Sequence, residues 1–177
     1  MQRISTTVIG LVGEQARWRA QALGRASNIR VELPDPAAPP LERAAGAWQA
    51  ATSTKAPYLV HDADPLALVA DAWVRRFDQQ GPAGELEVAV GQTLAGWRAR
   101  TIELPDYYLL LDPEAWGETR RHWYLGVLAR AAPVRVVPAD ADAGRLQGRI
   151  ATLASGRWWP ELDRLLADVE RLVPDQL

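Results

Sequence analysis

The sequence predicts an α/β fold in which a mainly parallel sheet of about five strands lies between two layers of helices. Two apolar runs, 58–61 and 107–111, lead directly into an aspartate, and a proline follows within three residues. A stripe of apolar residues at helical spacing follows each run. Buried apolar strands that alternate with amphipathic helices are typical of a parallel sheet that is covered on both faces.

Length and composition indicate an ordinary globular protein. The 177 residues suit a single domain, 1–177, with two C-terminal helices from about 143–173. Hydrophobic residues make up 48% and charged residues 24%, and the net charge of -2 gives no general attraction to nucleic acid. No stretch approaches the roughly 20 apolar residues of a membrane span, and the amino terminus lacks a signal-peptide pattern, so we expect a cytoplasmic protein.

The first half of the chain alternates strand and helix signals. Strands are predicted at 6–12, 29–33 and 57–61, and helices at 14–26 and 41–51. The first strand is β-branched and apolar and ends at Gly13, whereas the second alternates apolar and charged residues and ends at Pro34. The second helix is alanine-rich, which favours helix.

The second half continues the same alternation. Strands are predicted at 107–111 and 134–137, and helices after Pro65, after Pro113 and in two C-terminal segments. The helix after Pro65 is the clearest, because Leu66, Val69 and Trp73 lie on one face.

Residues 85–104 carry two conflicting patterns. Leu86, Val90 and Leu94 recur at helical spacing, but 86–90 also alternates like a strand. We predict a helix. The alternative is a hairpin of 86–90 and 101–104, which would make the sheet mixed rather than purely parallel.

This order of elements resembles a three-layer Rossmann-like or flavodoxin-like sandwich. Right-handed crossovers would place the carboxyl ends of all strands at one edge, where ligands bind in such folds. The polar residues that follow the predicted strands are Glu14, Asp35, His61, Asp62, Asp64, Asp112, Asp140 and Asp142.

Part of this acidic edge is a candidate metal and catalytic site. Asp62 and Asp64, separated by one residue, can both reach an ion, and with Asp112 and Glu14 they would offer the oxygen ligands of a magnesium site. His61, Asp62 and Asp64 are the catalytic candidates. Alternatively, Asp64 and Asp112 each precede a proline and fit helix N-caps, which need no ligand.

Some motifs resemble known families. Glu14 followed by Asp62-Ala63-Asp64, each after a strand, resembles the Toprim arrangement, in which such acids hold metal for phosphodiester chemistry. That resemblance covers residues 6–78 and lacks the glycine after the glutamate. The Asp-x-Asp also resembles haloacid-dehalogenase-type phosphatases, where it belongs to the first strand. Residues 8–13 and Asp112 are laid out as in a P-loop NTPase, but the second glycine and the lysine of the phosphate loop are missing.

Other residues suggest a binding role. Trp158 and Trp159 are adjacent indoles in a turn, and Arg121 and His122 are expected to face solvent, so all four are candidates for contact with a protein partner or a second copy. Cysteine is absent, which excludes thiolate nucleophiles and Cys-ligated zinc.

Two functions remain open at this point. We expect a non-catalytic binding or regulatory domain that acts through a protein partner or a small anionic ligand. The alternative is a Mg-dependent phosphoryl-processing enzyme of the phosphatase or nuclease type, which would use the acidic strand-end site.

Overall fold

Five parallel strands form one sheet in the order β2-β3-β1-β4-β5. The computed structural model describes residues 5–153, 159–167 and 169–172. The strands are β1 Thr7–Val12, β2 Ile29–Glu32, β3 Tyr58–His61, β4 Tyr107–Leu111 and β5 Val136–Ala139. The predicted α/β fold with a parallel sheet of five strands is confirmed.

Helices follow the strands in the alternating order expected of a parallel sheet. They are α1 Ala16–Leu23, α2 Pro40–Ser53, α3 Ala67–Phe77, α4 Glu85–Arg98, α5 Glu118–His122, α6 Ala129–Ala131, α7 Ala143–Ala151 and α8 Leu162–Ala167. A π-helical segment, Trp123–Leu128, joins α5 to α6, and 3₁₀ turns lie at Pro113–Ala115 and Val169–Arg171. No helix among the described residues is long and apolar enough to cross a membrane.

The sheet has a separate apolar core on each face. Along β4, Leu109 packs into a cluster with α1 and α7, whereas Tyr108 and Leu110 pack into a cluster with α3, α4 and the π-helical segment. Successive side chains of a strand point to opposite faces, which explains this division. All five residues of β4 are buried, as expected for an inner strand of a covered parallel sheet.

The positions of α1 and α3 create a crevice between two neighbouring strands. β1 pairs with β3, yet α1, which follows β1, covers one face of the sheet, and α3, which follows β3, covers the other. The two chain segments therefore diverge at the carboxyl ends of these strands. In open α/β sheets such a divergence is the usual place for a ligand.

Several local predictions can be compared with the structure. Residues 85–98 form helix α4, so the helical interpretation is confirmed and the hairpin alternative is wrong. The two expected N-caps differ in outcome. α3 begins after Leu66, and Asp64 accepts the Leu66 N–H at 2.8 Å, so it caps the turn that leads into this helix. Asp112 makes no capping hydrogen bond to the 3₁₀ turn that follows it, so that expected cap is wrong. β5 spans Val136–Ala139 rather than the predicted 134–137, and Val134 lies exposed in the turn before it.

Candidate functional site

A cavity of about 340 Å³ opens at the crevice between β1 and β3. We call it the switch-point pocket. Its wall comes from the loop after β1, the first turns of α1 and α2, the end of β3, α3, and two residues from the segment 118–128. Its charged lining residues are Glu14, Arg17, Arg43, Asp62, Asp64, Asp71 and Arg120. A volume of this size accommodates a small organic ligand.

Asp62 lies between two arginines of the pocket wall. Its Oδ2 is 3.0 Å from Nη1 of Arg17 and 3.5 Å from Nη2 of Arg43, and only 6% of the Asp62 side chain is exposed. Its other oxygen, Oδ1, is buried and accepts no hydrogen bond from the described residues. The Nε of Arg43 is likewise buried without an acceptor among them. A buried polar atom without a partner costs about 1 to 3 kcal/mol, so two of them beside one cavity call for an explanation, and a ligand that supplies the missing partners is one.

Backbone contacts hold the two arginines in place. Arg17, on α1, also donates from Nη1 to the carbonyl oxygen of Pro34 at 2.9 Å. Arg43 lies in the first turn of α2, which begins at Pro40, and its Nη2 donates to the Asp62 carbonyl oxygen at 3.2 Å. Proline is favourable at the start of a helix because its missing N–H has no partner there. Both guanidinium groups are therefore held by backbone carbonyls as well as by the Asp62 carboxylate.

Asp64 lies two residues further on and has different partners. Its Oδ1 accepts hydrogen bonds from the Leu66 backbone N–H at 2.8 Å and from the Tyr108 hydroxyl at 2.8 Å, and its Oδ2 accepts one from the Tyr124 hydroxyl at 2.7 Å. It forms no ion pair within the described part of the chain. Burial raises the pKa of Asp64 above its usual range, although the hydrogen bonds from Tyr124, Leu66 and Tyr108 oppose this shift.

His61, the third predicted catalytic residue, lies in the interior. It is 4% exposed, and its Nδ1 accepts a hydrogen bond from the Ala63 N–H at 3.2 Å. Burial lowers the pKa of His61 to about 4, and the nearby Asp62 only partly offsets this effect. The ring packs beside Gly10 of β1, where a larger residue would also meet Pro105. His61 is not part of the pocket wall.

The remaining predicted metal ligands divide between two hollows. Glu14 lines the switch-point pocket together with Asp62 and Asp64. Asp112 is exposed, has a φ of 47°, and lines a smaller hollow of about 80 Å³ that also includes Glu14. Its Oδ1 accepts a hydrogen bond from the Ala141 N–H at 3.3 Å. Across residues 5–153, 159–167 and 169–172, no group of three or more histidine, aspartate or glutamate side chains is placed to hold a metal ion.

The predicted partner-binding residues that the structure describes have contacts within the chain. Trp158 lies outside the described residues, whereas Trp159 is half-buried, with its indole N–H donating to the Pro105 carbonyl oxygen at 2.7 Å. His122 is half-buried and stacks on Trp73 with ring centroids 6.0 Å apart. Arg121 lies 3.4 Å from a Glu114 oxygen. The partner-binding role of these four residues stays a prediction.

The sequence interpretation missed four important side chains of this region. They are Arg17, Arg43, Tyr108 and Tyr124, all of which line the switch-point pocket or bond to its carboxylates. Arginine is the prevalent cation throughout the chain, so its presence alone does not single out Arg17 and Arg43. Their positions near the beginnings of helices were a usable signal, since helices in a parallel α/β fold begin at the ligand-binding edge.

Comparison with known proteins gives little further information. No protein-family model and no curated protein matches this chain. Among solved structures, it is similar to a thymidylate kinase from Candida albicans, with a TM-score of 0.49 and 14% sequence identity. The match covers 84% of this chain and 90% of that one.

The solved structure that this chain resembles is a kinase, at odds with the expected non-catalytic binding or regulatory domain, and that expectation is corrected. At 14% identity and this TM-score, the similarity does not transfer the kinase activity to this chain.

Proposed function

We propose that this chain is a phosphoryl-processing enzyme that binds the phosphate group of a small substrate in the switch-point pocket. The observation that carries the proposal is the convergence of Arg17, Arg43 and Arg120 on one cavity at the β1–β3 crevice. Guanidinium groups are suited to phosphate because their planar donors match its oxygens and their charge is permanent.

The charges in the pocket support this function. Arg17 and Arg43 share a single carboxylate, Asp62, so the three groups together carry one excess positive charge. The buried Nε of Arg43 also lacks an acceptor among the described residues, and a small movement of this side chain toward a phosphate oxygen would supply one. Arg120 bonds to Asp71 at 3.0 Å at the exposed rim, where it can exchange that partner for a substrate oxygen.

The fixed arginines of the pocket are groups that phosphoryl transfer can use. Phosphoryl transfer depends mainly on positioning the reactants and stabilising charge on the phosphate oxygens, and it needs little covalent participation by side chains. Arginines held by backbone carbonyls, as Arg17 and Arg43 are, are already oriented before the substrate binds. The pocket suits a small phosphorylated molecule better than a nucleic acid because its volume is limited.

Binding and turnover test this proposal. Calorimetry with inorganic phosphate and with ATP would measure affinity, and ³¹P NMR with ATP and Mg²⁺ in the buffer would detect release or transfer of a phosphoryl group. We expect Arg43→Gln to weaken binding roughly tenfold or more, because it removes a charge-assisted contact. Arg76→Gln is the matched control, since Arg76 is an ion-paired helix residue that does not line the pocket.

Two results would count against the proposal. The first is the absence of both binding and turnover in the unmodified protein. The second is binding that Arg43→Gln leaves unchanged, which would place the phosphate elsewhere. Arg43→Lys, which keeps the positive charge, separates loss of the guanidinium geometry from general damage to the fold.

The cytoplasmic location, the single-domain organisation and the protein or homo-oligomeric partner expected from the sequence stay predictions. None of them is needed for the proposed activity.

A further inference from the structure

Two buried tyrosines from different elements direct their hydroxyls at Asp64. Tyr108 comes from β4 and is 0% exposed, and Tyr124 comes from the π-helical segment and is 1% exposed. Their hydroxyls lie 2.8 and 2.7 Å from different oxygens of the Asp64 carboxylate. A carboxylate held by two donors on rigid elements has a fixed orientation, unlike one at the end of a mobile surface side chain.

The π-helical segment explains how Tyr124 reaches this position. Residues Trp123–Leu128 form this wider turn, and its first two residues, Trp123 and Tyr124, are both buried. The turn also brings the His122 ring against Gly126, where an added Cβ would lie 2.8 Å from the ring. Isolated π-helical turns are frequent at functional sites.

Asp64 retains capacity for a further hydrogen bond. The two oxygens of a carboxyl group offer about four lone-pair positions, and Asp64 uses three of them to accept from the Leu66 N–H and the two tyrosine hydroxyls. Asp64 lines the switch-point pocket and is not neutralised by an arginine among the described residues. Nearby, the Oδ1 of Asp62 is a second acceptor without a donor among the described residues, and only 6% of the Asp62 side chain is exposed.

The pocket thus offers positive charge on one set of residues and hydrogen-bond acceptors on another. We propose that Asp64 accepts a hydrogen bond from a hydroxyl group of the substrate and that Tyr108 and Tyr124 position the Asp64 carboxyl group for this contact. The substrate is then a phosphorylated sugar, free or within a nucleotide. This inference rests on the proposed function, which accounts for the phosphate but says nothing about the rest of the substrate.

Probes that differ only in their hydroxyl groups test the inference. The free-sugar arm compares ribose 5-phosphate with tetrahydrofurfuryl phosphate, which has the ring and the phosphate but no hydroxyl. The nucleotide arm compares AMP with 2′,3′-dideoxy-AMP. In at least one arm we expect the hydroxylated probe to bind roughly tenfold more tightly or better, because the probe without hydroxyls cannot donate a hydrogen bond to the buried Asp64. The arm that responds identifies the source of the sugar.

Variants connect that preference to the three residues. Tyr124→Phe, Tyr108→Phe and Asp64→Asn should each reduce the ratio of the affinities for the hydroxylated and hydroxyl-free probes toward one. Tyr107→Phe is the matched control, since Tyr107 adjoins Tyr108 in β4 but packs on the opposite face of the sheet. It should keep the full ratio. A purely structural role for the tyrosines would change both affinities together.

The outcomes separate this inference from the proposed function. Binding of all phosphorylated probes with no preference for hydroxyls would overturn the inference and leave the proposed function intact. A preference that survives in Tyr124→Phe and Tyr108→Phe would remove the positioning role. If neither inorganic phosphate nor any of the four probes binds, the proposed function fails and the inference fails with it.

Discussion

Protonation of the buried His61 should destabilise this protein in acid. The imidazole is buried, with its pKa lowered from 6.5 to about 4, so the folded state resists protonation while the unfolded chain accepts a proton near pH 6.5. A group whose pKa is lower in the folded state contributes stability above its unfolded pKa and loses it as the pH falls. The loss should therefore develop between about pH 6.5 and about pH 4.

The size of this effect follows from the shift in pKa. Each pKa unit corresponds to about 1.4 kcal/mol, so complete loss of the His61 contribution is worth about 3 kcal/mol. For a chain of this length that corresponds to a fall of roughly 6 to 12 °C in the melting temperature. Asp64 acts in the opposite direction, since its raised pKa makes its contribution largest in acid. A simple pH titration of the unmodified protein would therefore mix the two effects.

His61→Asn isolates the histidine. The Asn Oδ1 can accept the Ala63 N–H that Nδ1 of His61 accepts now, but the variant has no group that titrates in this range. Urea unfolding of both proteins from pH 8 to pH 4 gives the difference in their free energies of unfolding. We expect a constant difference above pH 6.5 and a relative loss of about 3 kcal/mol in the unmodified protein by pH 4. A difference that stays constant over the whole range would refute the argument.

Two further predictions concern stability. Gly13→Ala should lower the free energy of unfolding by about 1 to 3 kcal/mol, because Gly13 has a φ of 137° and a Cβ there would lie 2.9 Å from the Leu111 carbonyl oxygen. Thermal unfolding measures this loss. The control is Gly46→Ala, at a helical position with open space, which should raise the free energy of unfolding by up to about 1 kcal/mol. Trp73→Phe should lower the free energy of unfolding by about 2 kcal/mol, since it leaves a cavity and removes a buried indole hydrogen bond of 3.0 Å. The same change at Trp18, which is 61% exposed, should alter the free energy of unfolding by no more than about 0.5 kcal/mol. Equal effects at Trp73 and Trp18 would contradict the assignment of the core.

The fold could be predicted from the sequence because its signals are local and repeated. The apolar run of β4 and the helical stripe of α3 are each recognisable within about ten residues, and their alternation specifies a parallel sheet. Even residues 85–98, where two patterns compete, followed the helical one. The π-helical turn at Trp123–Leu128 could not be predicted in this way, since its apolar spacing is also that of an ordinary helix.

The site was less predictable, because it depends on distant contacts. Arg43 reaches Asp62 from 19 positions earlier in the chain, and Tyr124 reaches Asp64 from 60 positions later. Nothing in the local sequence of either aspartate indicates these partners. The edge of the sheet and the acids on it could be predicted, but the groups that neutralise or hold those acids could not.

The contrast between Asp62 and Asp64 shows why an Asp-x-Asp sequence alone does not define a metal site. The two residues are separated only by the buried Ala63, yet one carboxylate is paired with two arginines and the other is held by two phenols. Arg17 and Arg43 already supply the positive charge beside Asp62 that a metal ion would bring, so they would repel a metal ion at that carboxylate. Tyrosines beside Asp64 donate hydrogen bonds without adding charge, which leaves that carboxylate able to receive a neutral donor such as a hydroxyl. Spacing in the sequence thus places the acids, and the partners decide what each of them can bind.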